Sequence, residues 1–157
     1  KMEFLKVNVL DKYQNGEKNA AIEWKNCLEK YETYLKENEK NFDKNLFKLY
    51  SETDWFHDFE LLKICYLALT EHIKNKRDTI KLLFKFDNVY YRITLENIVS
   101  AKIDINNLVE ENHGIDDIVL SEILIKKGYH TLNILTASDS EFSIEFKNFK
   151  VEKFILK

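Results

Sequence analysis

His57-Asp58, Glu122 and His130 are the residues whose types could do chemistry together. An imidazole beside a carboxylate can move a proton or hold a divalent cation. A second carboxylate and a second imidazole would complete a hydrolytic site if all four met in one concavity. Each has a plainer reading too. On a strand, adjacent side chains point to opposite faces, so His57 and Asp58 could not share a metal there. Asp58 would then cap a turn or orient His57, whose ring covers the end of the core. His130 has the parity of Leu132 and Ile134, an inward-facing set, and reads as a core histidine with a satisfied ring. Glu122, among Val119, Ile123 and Leu124, could approach His130 across strands. His72 and His113 sit in polar stretches and read as solvated. With no HxxxH or HxH spacing, a zinc site is not indicated.

The dipeptide His57-Asp58 resembles the signature of the metal-dependent HD phosphohydrolases. That family takes further His and Asp ligands from neighbouring helices, whereas here the pair opens a strand-rich half. Nucleophiles fare no better: GxSxG is absent, and Cys27 and Cys65 lie in apolar runs that would keep their thiols protonated. Three glycines, at 16, 114 and 128, leave no Gly-rich phosphate loop. No catalytic, cofactor-binding or metal residue is therefore assigned, and no cofactor is expected. His57, Asp58, Glu122 and His130 are the candidates if a site exists, and the chain leans away from being an enzyme.

At 157 residues, 45% hydrophobic and 32% charged, the sequence has the balance of one globular domain, 1–157. A net charge of −3 and only two arginines, Arg77 and Arg92, argue against nucleic acid as a partner. Lys74-Asn75-Lys76-Arg77 reads as a solvated turn. Two cysteines without CxxC spacing suit a reducing compartment, and no run is long and apolar enough to span a membrane. A cytoplasmic protein of an AT-rich bacterium is the expectation. Oligomeric state is not legible.

The elements follow from periodicity. Phe4 to Leu10 alternates like a short strand or extended lead-in. From Glu17, the residues Ala20, Trp24, Cys27, Tyr31 and Tyr34 recur at three and four, with Ile22, Leu28 and Leu35 widening the stripe; this predicts an amphipathic helix with a core-facing seam. Phe42, Leu46, Leu49 and Tyr50 begin a second helix, with Asn41 as its cap. Residues 17–50 thus form a helical hairpin, and 57–157 a sheet. Residues 59–69 read as a strand, with a helix as the alternative. Ile80 to Leu95 reads as a β-hairpin with a turn at Asp87-Asn88, pairing Phe86 with Val89, Phe84 with Tyr91, Leu82 with Ile93 and Ile80 with Leu95. A later hairpin pairs Thr136 with Phe142, Ile134 with Ile144 and Leu132 with Phe146 across a three- or five-residue loop. Lys147-Asn148 is a bulge or turn before a last strand. The fold expected is α+β: a helical hairpin packed on a curled antiparallel sheet of about six strands, sandwich or partial barrel.

The helix Glu23-Trp24-Lys25-Asn26-Cys27-Leu28 with Tyr31, Tyr34 and Leu35, followed by an HD dipeptide entering a strand, resembles the domain of unknown function 4085 family. Ser121-Glu122-Ile123, Tyr129-His130-Thr131-Leu132 and Ile144-Glu145-Phe146-Lys147-Asn148-Phe149 extend the resemblance over nearly the whole length. It implies a stand-alone cytoplasmic protein of a Gram-positive bacterium and carries no activity to any residue. Three functions stand. The first is a non-enzymatic interaction module, immunity-like or adaptor, for a partner with a basic surface. The second is a small-ligand binder with a cavity lined by Tyr66, Phe84, Tyr91, Phe142 and Phe146. The third is a hydrolase using the four candidate residues.

Overall fold

A computed structural model describes residues 2–67, 78–106 and 117–155. Among the described residues three α-helices precede eight strands: α1 (Val7–Gln14), α2 (Ala20–Asn38), α3 (Lys44–Glu52), then β1 (Glu60–Leu67), β2 (Thr79–Phe86), β3 (Val89–Glu96), β4 (Ser100–Asp104), β5 (Ile118–Lys126), β6 (Tyr129–Thr136), β7 (Glu141–Phe146) and β8 (Asn148–Ile155). The strands form two antiparallel sheets of four, ordered β1-β2-β3-β8 and β4-β7-β6-β5. The fold is α+β with antiparallel sheets, as the periodicity predicts, but among the described residues there are eight strands and not about six, in two sheets that do not close. A corner explains the difference. Val99 N–H donates to the Glu145 carbonyl at 2.8 Å and Lys147 N–H to the Glu96 carbonyl at 3.2 Å, so the β3/β8 ribbon bends into the β4/β7 ribbon. The parity shift at Lys147-Asn148 is that corner.

The 80–95 hairpin has the predicted register throughout, Phe86 opposite Val89 and Phe84 opposite Tyr91. Residues 60–67 are strand, not helix, with a bulge between Leu61 and Lys63 that turns Leu61 inward and leaves Tyr66 half exposed. In the later hairpin the register is displaced from the predicted one: Ile134 faces Phe142 and His130 faces Phe146. The predicted pairs are displaced because Thr136, the last residue of β6, bonds to Ser140 and not to Phe142. Its N–H donates to the Ser140 carbonyl at 3.0 Å, and its hydroxyl accepts from Ser140 N–H at 3.2 Å.

Residues 4–10 are not a strand. Helix α1 starts at Val7, so the helical part begins well before residue 17. The cap of α3 is Asp43, whose carboxylate accepts from Asn45 N–H and Leu46 N–H, and not Asn41. Along α2 the seam is narrower than expected: Ala20, Tyr31 and Leu35 are buried, while Ile22 is 63% exposed. Expectations for Ala68, the 71–77 loop, the 107–116 connection with His113, and Leu156 fall outside the described residues.

Helices α2 and α3 meet β5 along its open edge. Alternate residues of an edge strand turn N–H and C=O outward, and here tyrosine hydroxyls receive them. Tyr31 Oη accepts from Ile123 N–H at 2.7 Å, Tyr34 Oη accepts from Ile125 N–H at 2.7 Å, and Tyr50 Oη donates to the Ser121 carbonyl at 2.8 Å. Burial pushes the Tyr31 and Tyr50 phenols above their ordinary pKa. β5 is thereby closed to strand addition at these positions, whereas β4 is exposed at every residue.

Candidate functional site

Between α3 and β1 the backbone does something L-residues avoid. Asp54, Trp55 and Phe56 have φ of 46°, 57° and 60°, three left-handed residues in succession, and Asp58 follows at 62°. Each such residue costs about 1–2 kcal/mol. Packing offsets this. Phe56 is fully buried, with its ring 5.1 Å from Tyr50 and 5.4 Å from Phe84, so the turn drives it between α3 and β2. Trp55 meets Tyr31 edge-on at 5.0 Å, and its carbonyl accepts the Ser121 hydroxyl at 2.5 Å. The same turn leaves Asp54 and His57 facing water.

A cleft of about 480 Å³ lies against this turn. Leu5 and α1 residues Leu10, Tyr13 and Gln14 make one wall, and Trp24, Leu28 and Glu32 of α2 another. Asp54, Trp55 and His57 make the third, with Val119 to Ser121 of β5 as the floor. Trp24 and Trp55 are the chain's two tryptophans, and among the described residues no lysine or arginine lines the space. An apolar, aromatic concavity with a few polar groups is the usual form of a binding site.

The wall formed by Leu5 and α1 is held by Glu122. This fully buried carboxylate accepts from Glu3 N–H and Phe4 N–H at 2.7 Å and from Leu5 N–H at 2.5 Å. Lys126 adds an ion pair to Glu3 at 2.5 Å.

The four sequence candidates do not converge. His57 Nδ1 lies 3.0 Å from Asp58 Oδ1, with both side chains largely in water, so Asp58 orients the ring but the ring does not cover the core. The pair sits in the left-handed turn and not on a strand, so the alternation argument does not apply to it. Glu122 pairs with Asn133 and His130 with Ile125. Cross-strand neighbours share a face and strands alternate, so Glu122 and His130 lie on opposite faces, about 10 Å apart along the strand. His130 stacks on Phe146 at 5.6 Å and neither ring nitrogen has a hydrogen-bond partner among the described residues, which corrects the expectation of a satisfied ring. Burial lowers its pKa, with Asp43 opposing. Among the described residues no three His, Cys, Asp or Glu side chains are grouped to hold a metal. Cys27 and Cys65 are free and half-buried.

The five aromatic residues expected to line a cavity do not share one. Phe84, Phe142 and Phe146 are buried in the core, while Tyr66 is 50% exposed and its hydroxyl bonds to Asp78. The aromatic cleft is built instead from Tyr13, Trp24 and Trp55. The helical period places Trp24 on the core seam, and no periodic pattern includes Trp55. A tryptophan directly after Asp54, just beyond a helix, was the one available hint.

No protein-family model matches the chain, and no curated protein matches it. A crystal structure of an uncharacterised protein from Neisseria gonorrhoeae is similar at 22% identity and a TM-score of 0.43, covering 62% of this chain and 92% of that one. Among the described residues no helix is long and apolar enough to cross a membrane.

Proposed function

We propose that the protein is a non-enzymatic interaction module, immunity-like or adaptor, whose partner presents basic groups. The observation that carries this is the cleft: aromatic walls, two carboxylates and, among the described residues, no lysine or arginine, on a chain of net charge −3. The separation of the four candidate residues supports a binding role over hydrolysis, because general acid–base work needs them within hydrogen-bond reach of one substrate. A cytoplasmic location and kinship with the domain of unknown function 4085 family belong to the same reading and rest on composition and on the α2 motif.

The test is a titration of the intact chain with a lysine-rich and a glutamate-rich peptide of equal length. Saturable binding of the lysine-rich peptide that weakens with added salt is expected, since exposed charges are screened. Equal binding of both, or of neither, would count against the proposal. A second reading, a small-ligand binder, is favoured by the cleft volume of about 480 Å³, within the range of small-molecule pockets.

A further inference from the structure

Resting on that reading, we propose that the cleft seats one lysine or arginine side chain of a protein partner. Its cationic head would lie against Glu32 and Asp54, and its stem against Trp24 and Trp55. Three independent features point this way.

The first is electrostatic. Three carboxylates on the elements that build the cleft, outside its lining, are already matched: Glu29 pairs with Lys25, Asp58 with His57 and Glu3 with Lys126. Among the described residues Glu32 and Asp54 form no ion pair. They face a space that no lysine or arginine of the described residues lines. The second is aromatic. Indole has the strongest attraction for a cation of the aromatic side chains, and both indoles of the chain line this one cleft. A long basic side chain brings an apolar stem as well as a charge, which suits such walls.

The third is the backbone. Asp54 and Trp55 carry opposite halves of the proposed recognition, and both sit in the left-handed turn. Strained residues of this kind persist where the surroundings over-determine them, and they cluster at ligand clamps. Here Ser121 and the buried Phe56 fix the turn, so Asp54 and Trp55 are presented before any partner arrives. Pre-organisation of this sort lowers the cost of binding.

The two tryptophans make the test direct, because tryptophan emission, excited selectively over the eight tyrosines, comes only from residues lining this cleft. The intact chain is titrated with a lysine-containing peptide, with its ε-acetylated counterpart, and with the same peptide against the Glu32→Gln/Asp54→Asn double variant. Asparagine tolerates left-handed φ, so this variant keeps the turn; far-ultraviolet circular dichroism and Tm serve as controls. Expected is a saturable emission change for the free lysine peptide, with Kd raised about tenfold or more by acetylation and by the double variant. Binding measured by sedimentation that leaves tryptophan emission and the double variant's affinity unchanged would overturn the cleft assignment while leaving the module standing. Tight binding of the acetylated peptide would overturn the cationic class. Absence of any binding to basic peptides would remove both.

Discussion

Ser121 and Glu122, consecutive on β5, hold opposite walls of one cleft. Alternation along the strand sends the Ser121 hydroxyl to the Trp55 carbonyl and the Glu122 carboxylate to the N–H groups of Glu3, Phe4 and Leu5. The side wall and the α1 wall are thus set by neighbouring residues of a single rigid element, and a disturbance of either should be felt by the other.

Glu122→Gln tests the α1 wall. The amide keeps one acceptor but turns an N–H₂ group towards backbone donors, leaving buried groups unsatisfied. The expected cost is about 2–3 kcal/mol, the range for charge-assisted hydrogen bonds. Hydrogen exchange should rise first over residues 2–14, before the sheet core. Uniform acceleration through β6 and β7 as well would show that Glu122 supports the whole fold and not this segment.

The tyrosine-covered edge of β5 gives a second prediction. Tyr31→Phe strands the buried Ile123 N–H and should cost about 1–3 kcal/mol, whereas Tyr34→Phe, nearer solvent, should cost less because water can replace its hydroxyl. The pH sign follows from burial, which raises the Tyr31 and Tyr50 pKa values in the folded chain. Their contribution is whole below the unfolded value of about 10 and is lost as pH rises beyond it. An ultraviolet titration should show two of the eight tyrosines ionising only as the chain unfolds. Eight phenols titrating together in the folded protein would contradict this.

Phe84 lies opposite Tyr91 and is fully buried against Phe56 and Phe59. Phe84→Ala should therefore cost about 3–5 kcal/mol in denaturant unfolding. A loss below 1 kcal/mol would mean that the turn at 54–56 is not anchored through this ring. The pairing was legible because a two-residue turn and period-two alternation leave one register that keeps charge out of the core. The later hairpin was less so. Thr136, Ser138 and Ser140 bond to one another, and hydroxyl geometry leaves no hydrophobic trace. Helix α1 was missed because Phe4, Val7 and Leu10 fit a helix as well as a ragged strand, and what fixes the segment is Glu122, more than a hundred residues away. The cleft was hidden for the same reason. Its walls come from four separate stretches, and a left-handed turn without glycine has no compositional signature.

His130 supplies the last prediction. Its ring lies between Phe42 and Phe146, both nitrogens lack partners among the described residues, and burial depresses its pKa while Asp43 partly opposes. A histidine whose folded pKa lies below its unfolded value of about 6.5 leaves stability intact above that value. Stability then falls as the medium is acidified toward the folded pKa, because the unfolded chain takes up the proton first. His130→Phe replaces the ring with one that fits the same stack and has nothing to protonate. Carboxylates will also titrate on acidification, so the quantity to compare is the difference in Tm between the variant and the natural chain at neutral and at mildly acidic pH. That difference should move in the variant's favour as pH drops. If the two curves run parallel, His130 finds a partner for its proton in the folded protein, and the orphaned ring is not a source of acid sensitivity.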